Sequence, residues 1–389
     1  MKKINVGVIG VGDISRVYML NLKRYSEYLT VKACAARNYE KTKKKAEEYG
    51  IPTVYRTPEE MIADPEIDLI LNLTIPEAHA KYNIMAAKAG KHVYSEKPIC
   101  ATFEEGKELM RIAKEKGVLV GCAPDTFLGS RLQNCRKLID DGELGTITGA
   151  TAFMVCPGHE LHHPAPEFFY QPGAGPIMDI GPYYVTALLA LLGPVKSVCA
   201  MSKKGFDQRV YKVGPEKGKV VHVNIDTYIT GILEFESGAI ATMLFSFDVW
   251  DTQLPRLEFY GTKGTITIAD ADPYDGPNVF GGETWLRTEE TFRWTQMPRL
   301  PEKVNTPWPV METDRPFNST SHQDNSRGIG MVDMIIAMQE GRAHRASGDM
   351  ALHAIEVMEK TILSARDRKY YEMETTFEKP ELLPEDFGK

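Results

Sequence analysis

Three clusters in this 389-residue chain combine residue types and spacings that can do chemistry. The first is Gly10-Val11-Gly12-Asp13-Ile14-Ser15, a G-x-G-x-x-S run directly after the apolar stretch Ile4–Ile9. Gly10 permits a tight turn, Gly12 lets a pyrophosphate approach the backbone, and Ser15 is small enough for the next helix to pack on the strand. That helix presents its N-terminus to the phosphates, so a dinucleotide site is expected here, with Asp13 and Ile14 along it. The second is Ser95-Glu96-Lys97-Pro98. It ends a strand pattern, and ligands of open α/β sheets bind at the carboxyl ends of strands. An ammonium there can bond a hydroxyl and lower the cost of losing its proton as hydride leaves. Glu96 is placed to orient Lys97 or to meet a nicotinamide ribose, and Pro98 fixes the backbone. The third is Asp179 and Tyr183, one helical turn apart on one face. Asp179 also reads as a helix cap.

A fourth stretch, Gly158-His159-Glu160-Leu161-His162-His163-Pro164, matches the H-E-x-x-H pattern of zinc enzymes. On a helix that spacing puts both imidazoles on one side. Pro157-Gly158 before it and Pro164, Pro166 and Pro172 after it leave little room for a helix. No third ligand is evident, and no metal is expected. The stretch reads as a loop, either purely structural or bringing His162 and His163 to a substrate. Ser246-Phe247-Asp248-Val249-Trp250-Asp251 sets an indole between two carboxylates, which suits a sugar ring as well as a core or interface tryptophan.

These groups need elements to hold them. Strand patterns at Ile4–Ile9, Val31–Ala36, Asp68–Leu73, His92–Ser95 and Val118–Cys122 alternate with helical patterns at Ile14–Tyr25, Glu40–Tyr49, Glu77–Ala89 and Phe103–Lys116. That alternation predicts a parallel, doubly wound α/β sheet. After a helix at Leu128–Asp141, longer strands follow one another through short turns: Ile147–Val155, Asp226–Glu236, Ala239–Asp248 and Arg256–Gly261. They predict an α+β unit with a large, mostly antiparallel open sheet. Helices are expected at Asp179–Leu192, Ser326–Gln339 and Asp349–Ala365, the last two packing back on the first unit, and irregular structure at Ala269–Asn318. The division falls at 1–124 and 125–389. The end of the second strand reads Ala35-Ala36-Arg37-Asn38. With no acid for an adenosine ribose and Arg37 to pair a 2′-phosphate, both NAD and NADP are open.

Composition is globular, at 43% hydrophobic and 25% charged residues. A net charge of −7 without a basic tract argues against nucleic acid. The start lacks an apolar signal region, and Tyr183–Val195 is too short to span a bilayer. Six scattered cysteines without a C-x-x-C pair read as free thiols in a reducing cytoplasm.

The glycine turn, Ala89-Gly90-Lys91-His92-Val93 with Ser95-Glu96-Lys97-Pro98, and Gly173-Ala174-Gly175-Pro176-Ile177-Met178-Asp179-Ile180-Gly181-Pro182-Tyr183 together resemble the Gfo/Idh/MocA oxidoreductases over nearly the whole chain. The resemblance implies hydride transfer between NAD(P) and a secondary hydroxyl or ketone of a sugar, cyclitol or glycoside. It implies Lys97 on the reacting oxygen, Asp179 on substrate hydroxyls, and Thr74, Pro76 and His79 beside the cofactor. Tyr183 stands where many members carry a histidine, so the proton falls to Tyr183 or to a histidine of 159–163, with His163 the preferred substitute. Asp125 stands where the family often has an Asn-Arg pair, and Asn325-Ser326-Arg327-Gly328 starts a helix within reach. His344 and Arg345 read as solvated surface. The family's open sheet implies a homodimer or homotetramer. Two further readings are a redox-cycling glycoside-cleaving enzyme or glycoside 3-oxidase, and a non-catalytic NAD(P)-binding regulator. Lys97, Asp179 and Tyr183 argue against the last.

Overall fold

A computed structural model describes residues 3–268, 280–291, 308–320 and 325–387, with two short strands at 294–295 and 302–303. The chain begins β1 (Ile4–Ile9), α1 (Ser15–Leu22), β2 (Leu29–Ala35), α2 (Tyr39–Tyr49), β3 (Thr53–Val54), α3 (Pro58–Ala63), β4 (Leu69–Asn72), α4 (Pro76–Lys88), β5 (His92–Ser95), α5 (Phe103–Lys116) and β6 (Val120–Cys122). The strands form a parallel sheet in the order β3-β2-β1-β4-β5-β6. This is a Rossmann arrangement, and winding reverses between β1 and β4. Local chemistry sets the helices. Asn38 caps α2 through Lys41 N, Thr102 and Glu105 form a capping box on α5, and Gly50 and Gly117 end these two helices in the left-handed region. The reversal puts the ends of β1, β4 and β5 side by side: Gly10, Thr74 and Lys97 leave the same edge.

The second half runs α6 (Ser130–Asp140), β7 (Ile147–Val155), α7 (Pro176–Asp179), α8 (Gly181–Leu192), β8 (Val195–Lys203), β9 (Gln208–Val210), β10 (Val220–His222), β11 (Tyr228–Phe235), β12 (Ile240–Ser246), β13 (Leu257–Gly261), β14 (Gly264–Ile268), β15 (Thr284–Thr288), β16 (Trp294–Thr295), β17 (Glu302–Lys303), β18 (Val310–Met311), α9 (Ile329–Glu340), α10 (Gly348–Asp367) and β19 (Tyr371–Glu372). The large sheet has the order β18-β15-β14-β13-β7-β12-β11-β8-β19, antiparallel except for the parallel pair β7–β12. Alternate residues of β11 are buried, and α8 is buried along its whole length. The opposite face exposes Met201, Ile232 and Ile240. The stretch 269–318 is not wholly irregular, because β15 extends this sheet. Its residues 269–279, 292–293, 296–301 and 304–307 lie outside the described ones. Among the described residues, no helix is long and apolar enough to cross a membrane.

The two closing helices return to the first sheet. Cys122 N donates to Ala346 O at 3.1 Å, and Gly121 bridges Ser347. His344 and Arg345 are therefore not solvated surface. Arg345 is 6% exposed and pairs with the buried Asp333 at 2.5 Å, while a His344 ring nitrogen meets Val120 O at 3.0 Å. A carboxylate buried in α9 requires such a partner.

His353 on α10 is fully buried: Nε2 accepts from Val195 N at 3.0 Å, and Nδ1 faces Thr375 Oγ1 at 3.0 Å. Burial lowers its pKa to about 4, against the pull of Glu356. A base depressed on folding stabilises the protein above its unfolded pKa, and this is lost as pH falls through the folded one. We expect His353 to cost about 3 kcal/mol of stability between pH 6.5 and 4. Denaturant titrations across that range should show a shallower pH slope for His353→Gln than for the parent. An unchanged slope would refute the assignment.

Candidate active site

The glycine turn is tight where sequence requires it. Gly10 has φ +93°, and a Cβ there would lie 2.6 Å from Leu73 O. Gly12 has no neighbour within 4 Å of a Cβ position, so its backbone stands open beside the N-terminus of α1. Ser15 Oγ closes the turn by donating to Gly12 O at 2.6 Å. An exposed cradle of this kind fits the pyrophosphate of a dinucleotide. Asp13 is exposed and Ile14 half-buried along it. Arg37 is exposed just beyond β2, where no acid intervenes.

Beside it, the β4–α4 loop is braced from beneath. Asn72, fully buried, accepts from Thr74 N and Oγ1 at 3.2 and 2.7 Å and donates to Asn83 Oδ1 at 2.8 Å. Pro76 is exposed at the first position of α4. His79, by contrast, is wholly buried. Its ring nitrogens lie 2.6 Å from Pro98 O and 3.0 Å from Thr74 O. It ties together the two loops that carry Thr74 and Lys97.

Lys97 follows β5, and the Lys97–Pro98 peptide is cis. Glu96 sits behind it, 8% exposed, accepting from Tyr18 Oη at 2.8 Å and from Lys97 N at 2.9 Å. Lys97 Nζ donates to Asp179 O at 2.6 Å, lies 3.2 Å from Asp179 Oδ1, and stands 5.1 Å from the Tyr183 ring centroid. Burial opposes the Asp179 charge, but Lys97 and His159 hold its carboxyl down at about 2. Burial also opposes the Lys97 charge, yet Tyr183, Asp179 and Glu96 keep its pKa raised. The Tyr183 hydroxyl accepts from Arg327 Nη2 at 3.3 Å.

The histidine stretch forms one 3-10 turn, His159–Leu161, and not a helix. Gly158, at φ +115°, turns the chain so that His159 points inward. His159 Nε2 lies 3.5 Å from Asp179 Oδ2, its ring stacks on Phe169 at 3.8 Å, and its Nδ1 lies 3.3 Å from His162 Nε2. The structure thus brings His159 to the carboxylate. His162 is exposed, and His163 Nδ1 accepts from Ala165 N at 3.1 Å. Glu160 is committed elsewhere: it accepts from Tyr170 Oη and pairs with Arg209 at 2.7 Å, and Arg209 pairs with Asp248 at 2.5 Å. Asp248 is thereby a structural anchor. Trp250 is 76% exposed at the surface. Among the described residues, no group of three or more His, Cys, Asp or Glu could hold a metal ion.

Asp125 is fully buried, and its Oδ2 accepts from Gly328 N and Gly330 N at 2.8 and 2.9 Å and from Tyr94 Oη at 3.3 Å. It staples α9 to the end of β6. Burial raises its pKa to about 6, against those backbone donors.

At the edge nearest the glycine turn stand a fixed ammonium, a carboxylate, a phenol and an imidazole. Such a set can polarise an oxygen, hold a neighbouring hydroxyl and exchange a proton. Comparison with known proteins bears on the family and the fold. A family model described as an oxidoreductase family with an NAD-binding Rossmann fold matches residues 4–123, and one for a GFO/IDH/MocA C-terminal domain matches residues 132–267. The chain is 30% identical over 289 residues to a D-xylose dehydrogenase of Paenarthrobacter nicotinovorans, covering 69% of this chain and 73% of that protein. It is 27% identical over 297 residues to a D-glucoside 3-dehydrogenase of Escherichia coli, covering 71% and 80%. A levoglucosan dehydrogenase solved with NADH and L-sorbose superposes with a TM-score of 0.77 at 19% identity, covering 96% and 99%.

Proposed function

Because this chain belongs to the Gfo/Idh/MocA oxidoreductases, we propose that Lys97, Asp179 and Tyr183 carry its hydride-transfer chemistry on a sugar, cyclitol or glycoside. The chain is an NAD(P)-dependent oxidoreductase of CH–OH groups. The observation that supports these residues is Lys97 Nζ, held between Asp179 and Tyr183 at the sheet edge from which the glycine turn also leaves. Bound nicotinamide supplies the hydride acceptor. The turn Gly10–Ser15 would hold its pyrophosphate, Thr74 and Pro76 would flank it, and Arg37, with no acid beside it, leaves NADP open alongside NAD. We place the division between the two domains near residue 124.

Lys97 stays charged, so it acts by stabilising negative charge on the reacting oxygen and not as a base. Asp179 stays ionised and accepts from a neighbouring hydroxyl. Tyr183 exchanges the proton, with His159 as the second candidate. The exposed apolar residues Met201, Ile232 and Ile240 on one sheet face favour self-association there.

The test is a panel of D-xylose, D-glucose, myo-inositol and methyl glucosides with NAD and with NADP, following reduced cofactor and product together. Stoichiometric reduced cofactor is expected. The His159 imidazole 3.5 Å from Asp179 favours a second reading, in which transient oxidation leads to glycoside cleavage. Sugar release without net cofactor reduction would select it. Turnover confined to non-carbohydrate compounds would overturn the substrate class.

A further inference from the structure

We propose that Arg327 is a positioning residue for the reaction: it fixes the Tyr183 hydroxyl and faces the charge left on that oxygen when its proton moves. The inference rests on the reading of Tyr183 as the proton carrier.

Arg327 reaches Tyr183 across 144 residues of sequence, with Nη2 donating to the phenol oxygen at 3.3 Å. It is 3% exposed, and its guanidinium lies 5.8 Å from the Phe280 ring centroid. Its backbone is held on both sides. Arg327 N donates to Asn325 Oδ1 at 3.1 Å, and Asn21 Nδ2 donates to Arg327 O at 2.8 Å and Asn325 O at 2.7 Å. The next residue, Gly328, has φ +94° and donates to Asp125. Asn21 lies on α1, the helix that opens at the glycine turn. The arginine is therefore registered to the cofactor side of the cleft although it precedes α9.

Its chemistry suits the place. A guanidinium only donates, so the phenol oxygen accepts from it and keeps its own hydrogen for a third partner. Lys97 stands over the ring, so the phenol is flanked by two cations placed differently: one over its ring face, one donating to its oxygen. In the reducing direction reduced nicotinamide would supply hydride to the carbonyl carbon, the carbonyl oxygen would take the Tyr183 proton, and the phenolate left would face Arg327. Oxidation runs these transfers backward. A preformed donor at that oxygen needs no reorganisation as charge develops.

The test compares Arg327→Gln, Arg327→Lys, Tyr183→Phe and the Arg327→Gln/Tyr183→Phe double variant, with D-xylose or the panel sugar turned over fastest. For Arg327→Gln we expect kcat to fall on the order of 10²-fold, with sugar KM and NADH affinity within a few-fold. Added guanidinium chloride at millimolar concentration should restore part of the loss, and Arg327→Lys should retain more activity than Arg327→Gln. The double variant should be no slower than Tyr183→Phe, because the two residues act as one unit. A wild-type kcat in Arg327→Gln, losses that multiply in the double variant, or no rescue by guanidinium would each overturn the assignment. Wild-type turnover by Tyr183→Phe would instead overturn the proton-carrier reading beneath it.

Discussion

Replacing Lys97 with alanine is expected to lower kcat/KM on the order of 10³-fold, with NADH affinity changed only a few-fold. In the proposed mechanism the ammonium meets charge on the reacting oxygen, while the glycine turn would hold the dinucleotide's pyrophosphate. A second consequence follows for pH. The Asp179 carboxyl is held at about 2 against burial by Lys97 together with His159. Without that cation His159 alone opposes burial, and the carboxyl takes up a proton at a higher pH than in the parent. The residual activity of Lys97→Ala should therefore fall off on acidification at a pH where the parent keeps its rate. Lys97→Arg keeps the charge but brings a planar fork into a site shaped for one nitrogen, and an intermediate loss is expected. Steady-state kinetics from pH 5 to 9 read both effects. Parental kcat/KM in Lys97→Ala would remove this lysine from the chemistry.

Gly10→Ala is expected to lower NADH affinity at least tenfold and to destabilise the protein by about 1–3 kcal/mol. The added methyl meets Leu73 O at 2.6 Å, and the backbone at φ +93° suits no side chain. The β4–α4 loop must move, and it carries Thr74. Gly12→Ala makes an informative partner, because nothing lies within 4 Å of its Cβ position. Its thermal unfolding should match the parent, while the methyl occupies the pyrophosphate's approach and weakens NADH. Melting curves with and without NADH separate the two. Parental NADH affinity in Gly12→Ala would place the phosphates elsewhere.

The parts of the molecule legible in the sequence are those governed by neighbours along the chain. Ile4–Ile9 running into Gly10 and Gly12, and Lys97 at the end of an apolar strand, are local patterns with local causes. The mixed sheet was partly legible, since turns such as Glu236-Ser237-Gly238 join strands directly. Pairings set at long range were not. His159, His162 and His163 look alike in sequence, and the choice among them is made by Gly158 and by the ion pairs of Glu160 and Arg209, 49 residues apart. Asn72, Asn83 and His79 form a brace under the cleft that no spacing announces, because buried polar residues satisfy one another in three dimensions. Arg345 resembles a surface arginine until Asp333 is seen to lie buried beside it, 12 residues away.

The return of the last two helices to β6 has a consequence for the order of synthesis. The parallel sheet is translated first and ends at an edge strand, β6, whose outer side is covered from far downstream; His344 and Val120 are 224 residues apart. At roughly 5–20 residues per second, that interval lasts on the order of ten to forty-five seconds. For that time the nascent nucleotide unit carries an open β-edge, a template for pairing with another chain. The segment between the last two helices thus covers the β6 edge, and a chain stalled before residue 344 would leave that edge bare.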